Sequence, residues 1–93
     1  MNNITQIYKD KLTSEEIKDI ESLHNYDIDT LFTKSIDAIE KASDINFIKK
    51  SIKKSIEYAK STEYKSNAHN AVIKAQIIAF NHCTGQNIST NEL

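Results

Sequence analysis

Proline, arginine and tryptophan are absent from this 93-residue chain, and glycine and cysteine occur once each. A β-rich domain of this length draws on several turn glycines and prolines, so an all-α fold is favoured before any periodicity is counted. A single glycine rules out a glycine-rich phosphate loop. A single cysteine rules out an intrachain disulfide, and the N-terminus lacks a basic-then-apolar leader, so a cytoplasmic protein is expected. The missing arginine removes the main bidentate reader of guanine and phosphate. All 12 basic residues are therefore lysine. With the abundant isoleucine and asparagine, this points to an AT-rich genome, such as that of a low-GC bacterium or its phage. A net charge of −1 selects no class of partner. The length fits one domain, 1–93, with one core.

What the chain does contain is organised around Asn67 to Gly85, its least charged run. Asn67 or Ser66 can serve as N-cap, and Gly85 suits the left-handed position that follows a helix. At about 100° per residue, Asn67, Asn70, Lys74 and Asn81 share a narrow polar arc. Ala68, Ala71, Ala75 and Ala79 form a smooth flank, and Val72, Ile73, Ile77 and Phe80 supply bulk. A helix apolar over so much of its circumference needs several covering neighbours. About 18 residues would reach across a bilayer, but Lys74, Gln76 and the asparagines would each need a partner in hydrocarbon. A buried central helix is the expectation.

Upstream, Ile4, Ile7, Tyr8 and Leu12 repeat with helical spacing. Thr13 with Glu16 makes a capping box, and Leu12 with Ile17 a hydrophobic staple. The second helix should then turn Ile17, Ile20, Leu23 and His24 inward and stop at Asn25, which tolerates the left-handed conformation. Asp27 or Asp29 starts a third helix with Ile28, Leu31, Phe32, Ser35, Ile36 and Ile39 in one stripe. A fourth begins near Asp44, with Ile45, Ile48, Ile52, Ile56 and Ala59 inside. Run together as one helix, the third and fourth would bury opposite sides of their two halves. A corner at Ser43-Asp44 is expected instead. Residues 61–66 read as a loop and about 88–93 as a frayed tail. The tripeptide Lys-Ser-Ile occurs at 34, 50 and 54, with too little flanking similarity to mark a tandem repeat.

Charge is segregated: residues 1–44 sum to −5 and residues 45–65 to +4. The plain explanation is that acidic and basic helices lie side by side and partly neutralise. The functional alternative is the outer face of the fourth helix, where Phe47, Lys50, Lys54, Tyr58 and Lys65 fall within about 80° of one another. Aromatics among lysines combine apolar area with cation–π attraction. Against this, Phe47 and Tyr58 could pack under a neighbouring helix, which is the plainer arrangement. As a nucleic-acid site the face is short, lacks arginine and belongs to a chain whose other half repels phosphate. A helix-turn-helix from the second and third helices fails on sign, because Asp27, Asp29, Asp37 and Glu40 would face a DNA groove. Mimicry of nucleic acid by the acidic half is a minor alternative.

Spacing also opposes metal or cysteine chemistry. His69 and His82 stand roughly 20 Å apart along one helix and about 140° around it. His82 and Cys83 diverge, and His24 is remote, so no metal ligand set and no cofactor is expected. Together these observations imply an all-α, compact bundle of four to five short helices around a central C-terminal helix. They favour a non-enzymatic protein-binding module: a small inhibitor, immunity protein or regulatory subunit, for example a phage-encoded anti-CRISPR protein. The alternatives are nucleic-acid binding through the fourth helix, and a structural homo-oligomer packed through Ala68, Ala71, Ala75 and Ala79. No membrane partner is expected.

Overall fold

A computed structural model describes residues 4–61 and 67–89. It is an all-α bundle of five helices: α1 (Ile4–Tyr8), α2 (Ser14–His24), α3 (Ile28–Lys41), α4 (Ile45–Ser61) and α5 (Asn67–Thr84). α5 is the centre, and each of the other four packs against it. Its Ile77, Ala79 and Phe80 are wholly buried, and Ala71, Ile73 and Ile78 nearly so. A fully buried Ile or Phe contributes about 1.5–3 kcal/mol through area removed from water, so α5 is the largest single contributor to the core. Its polar arc is used as well. Lys74 pairs with Glu16 of α2, and Asn81 holds the chain beyond the helix.

Local chemistry sets the helix boundaries. The Thr13 hydroxyl accepts from the Glu16 N–H at 3.1 Å, and the Glu16 carboxylate accepts from the Thr13 N–H at 2.9 Å, completing the capping box. Leu12, buried in the turn before it, seats the helix entry on the core. α2 ends as Asn25 enters the left-handed region at φ 60°, its N–H donating to the Glu21 carbonyl. Asp27 accepts from the Thr30 N–H to start α3, and Asp44 accepts from the Asn46 and Phe47 N–H groups to start α4. The corner at 42–44 lets the α3 stripe (Ile28, Phe32, Ile39) and the α4 stripe (Ile52, Ile56, Ala59) share one core. At the end of α5, Gly85 adopts φ 72° and donates its N–H to the Asn81 carbonyl at 2.9 Å.

Three details depart from the sequence reading. α1 is a single short turn ending at Tyr8, and Leu12 reaches the core from the following turn. On α2 only Ile20 is buried and Ile17 partly so, while Leu23 is 57% exposed and His24 is exposed. The helix ends at Asn25, so its last turn overhangs the core that Ile20 reaches. Ile88 is not loose. Its N–H donates to the Asn81 side-chain oxygen at 3.0 Å, its carbonyl accepts from the Asn81 amide at 3.1 Å, and its side chain packs on the core.

α1 is fastened to α3 by Tyr8. Its ring stacks on Phe32 with centroids 4.7 Å apart, and its hydroxyl donates to the Asp29 carboxylate. Burial, then that hydrogen bond to a carboxylate, pushes the Tyr8 pKa up to about 12. The folded value lies above the unfolded one of about 10, so this contribution is complete below pH ~10 and is lost as pH rises towards ~12. An ultraviolet absorbance titration should therefore show a late phenolate transition that disappears in Tyr8→Phe. Ile77→Ala should cost about 2–5 kcal/mol through the cavity it leaves, and Ala79→Leu about 1–3 kcal/mol through overpacking, both read by chemical denaturation.

Candidate functional site

α4 has one substantial neighbour, α5, which covers its isoleucine stripe. The opposite face is left open. Phe47 is 68% exposed and Tyr58 61% exposed, and Lys50 and Lys54 between them are also exposed. Neither aromatic packs under another helix, contrary to the plainer of the two sequence readings. At 1.5 Å per residue the two rings start from points about 16 Å apart along the helix, on one side of it. Tyr58 also meets His69 at the start of α5 edge-on, with centroids 6.2 Å apart. Lys65, assigned to the same face from spacing, lies outside the described residues.

The lysines of this face are not spent on the acidic helices. Among the described residues the ion pairs are Lys41–Asp37 within α3 and Lys74–Glu16 between α5 and α2. Among the described residues no carboxylate lies within ion-pair distance of Lys49, Lys50, Lys53 or Lys54. No ion pair among the described residues joins α4 to α2 or α3, and α4 packs chiefly on the nearly uncharged α5. The face can attract an anionic surface electrostatically and grip it with two rings.

A second exposed patch was not anticipated. At the α2–α3 corner, Leu23 and Tyr26 are 57% and 50% exposed, and the Lys34 ammonium sits over the Tyr26 ring, 5.1 Å from its centroid. Residues 19–29 carry Asp19, Glu21, Asp27 and Asp29 and no lysine. Helical periodicity placed Leu23 inside because it shares a face with Ile20. The signal that locates it correctly is its closeness to the Asn25 stop, beyond which no helix extends to cover it.

The alanine flank is largely consumed within the chain. Ala71 and Ala79 are buried, while Ala68 and Ala75 are half-buried. A second copy could reach only the edges of that flank. Ala71 faces α2 beside a polar groove of about 250 Å³ lined by Thr13, Glu15, Glu16, Asp19, Asn70 and Lys74. Here burial would raise the Glu16 carboxyl, but the Thr13 N–H and Lys74 outweigh it and hold the carboxyl below its ordinary value.

His69, His82 and Cys83 do not converge on a ligand. Among the described residues no group of three or more His, Cys, Asp or Glu could hold a metal ion. Burial, with a contribution from the Glu40 charge, pushes the Cys83 thiol up, away from the thiolate a nucleophile needs. No helix among the described residues is long and apolar enough to cross a membrane. No protein-family model matches the chain, and neither a curated protein nor a solved structure is found to be similar to it.

Glu16 supplies a test of the α2–α5 contact. Its depressed folded pKa means the contribution is present above the unfolded value and is lost as pH falls through the folded one. Lys74→Met should therefore flatten the acid limb of the stability curve. A Glu16→Gln/Lys74→Met double-mutant cycle should return a coupling of about 0.2–1 kcal/mol at neutral pH.

Proposed function

We propose that this protein is a non-enzymatic binding module that acts by docking the outer face of α4 on another protein. The observation that carries the reading is the exposure of Phe47 and Tyr58 on a helix whose intervening lysines have no carboxylate partner among the described residues. Exposed aromatics are common anchors of a protein interface, and here the two rings bracket the lysines. A domain this small, carrying an unspent contact face on a closed core, suits a cytoplasmic inhibitor, immunity protein or regulatory subunit. A phage-encoded anti-CRISPR protein is one such case.

Nucleic acid is the competing ligand for the same face. It is disfavoured by the lack of arginine and by the net −5 of residues 1–44. Affinity capture from cells of the source organism, followed by mass spectrometry, separates the two. The expected result is a specific protein retained by the wild type and by Leu23→Ser. It should be lost from a folded Phe47→Ala/Tyr58→Ala variant, with binding weakened at least about tenfold. Retention of the same protein by that variant would contradict the reading. Recovery of nucleic acid that Lys50→Glu/Lys54→Glu abolishes would replace it.

A further inference from the structure

The two exposed patches are opposite in sign and similar in make-up. The α4 face presents Phe47 and Tyr58 with Lys50 and Lys54, and the α2–α3 corner presents Leu23 and Tyr26 among carboxylates. Within one molecule they do not meet. α4 packs on α5, whereas α2 and α3 pack on α5 and on each other. No ion pair among the described residues joins α4 to α2 or α3. Each chain therefore carries both halves of a complementary contact without joining them to each other, although at the corner Asp27 also caps α3 and Lys34 lies over one face of Tyr26.

We propose that the occupant of the α2–α3 corner is the α4 face of a second copy, giving head-to-tail self-association. The pairing is heterologous: one copy contributes Leu23 and Tyr26, with Asp19 and Asp27 beside them, and the next contributes Lys50, Lys54, Phe47 and Tyr58. Asp19 is one helical turn before Leu23, and Asp27 follows Tyr26 directly, so acidic charge borders both apolar side chains. Lys34 already rests on the face of Tyr26, which shows that this ring accepts an ammonium. A lysine from α4 of another copy would meet the same ring and the neighbouring carboxylates. A heterologous contact extends from copy to copy unless its rotation closes a ring. With two apolar side chains on each side, it belongs among weak, reversible, salt-sensitive interfaces.

The assembly uses the α4 face that a foreign partner would also use, so it is measured on the purified full chain with no other protein present. Sedimentation equilibrium should show a mean mass that rises with concentration at low salt. The association constant should fall at least about tenfold in high salt, where the screening length shrinks from about 10 Å to about 3 Å. The decisive step uses two variants altered only at exposed positions, Leu23→Ser/Tyr26→Ser and Lys50→Glu/Lys54→Glu, each checked for helix content. Each alone should remain a monomer. Mixed, they should form a one-to-one pair and nothing larger, because one intact corner then meets one intact α4 face. If either double variant does not fold, Tyr26→Ser and Lys54→Glu singly replace it. A wild type that stays monomeric at low salt would overturn the proposal. So would a variant that still self-associates, or a mixture that does not pair, and a corner shown to bind only a foreign basic protein would reassign it. None of these outcomes bears on whether α4 also binds a foreign protein.

Discussion

The fold depends on one constraint: α5 is apolar around most of its circumference and has to be covered on nearly every side. A helix of that kind cannot rest on a single neighbour, and the four shorter helices are placed by the need to enclose it. α3 and α4 each give the core an isoleucine-containing stripe, α2 gives Ile20 and α1 gives Tyr8, while their outer faces meet water. The polar arc of α5 does not interrupt this arrangement. Lys74 finds Glu16, and Asn81 binds both backbone groups of Ile88, so the arc closes two of the remaining gaps.

That arrangement also determines where a working surface can lie. Most of the α5 surface, Ala71 and Ala79 included, is spent on packing. The covering helices retain outer faces, and two of these carry more apolar surface than solvation alone would leave. On α4 the aromatics flank Lys50 and Lys54, which form no ion pair among the described residues. At the α2–α3 corner Leu23 and Tyr26 lie among carboxylates, with Lys34 the one cation brought onto the ring. Burying the stripe of an amphipathic helix fixes which residues remain outside, so the exposed faces are consequences of the core.

Most of this architecture was legible in the residues. Thr13 and Glu16, Asn25, Asp27, Asp44 and Gly85 are local devices whose effect depends on chemistry within a few positions, and all lie at the boundaries they imply. The reversal of the isoleucine stripe between Ile39 and Ile48 required a corner, and one is there. The open face of α4 was half legible. Spacing grouped Phe47, Lys50, Lys54 and Tyr58, but only the packing of α4 on α5 decided that the group faces solvent. Leu23 was misplaced because periodicity reports which side of a helix a residue occupies, not whether a neighbour extends far enough to cover it. The separation of opposite charges was likewise beyond local reading, since it follows from which helix α4 chooses as its support.

The most direct measurement of the central claim, that the outer face of α4 is the contact surface, is photocrosslinking in cells of the source organism. A photoreactive phenylalanine analogue would replace Phe47, Tyr58 or, as a control, Gln76, which is exposed on α5. The account predicts a discrete protein adduct from positions 47 and 58 and none from 76. Adducts from 76 alone, or none from 47 and 58, would contradict it.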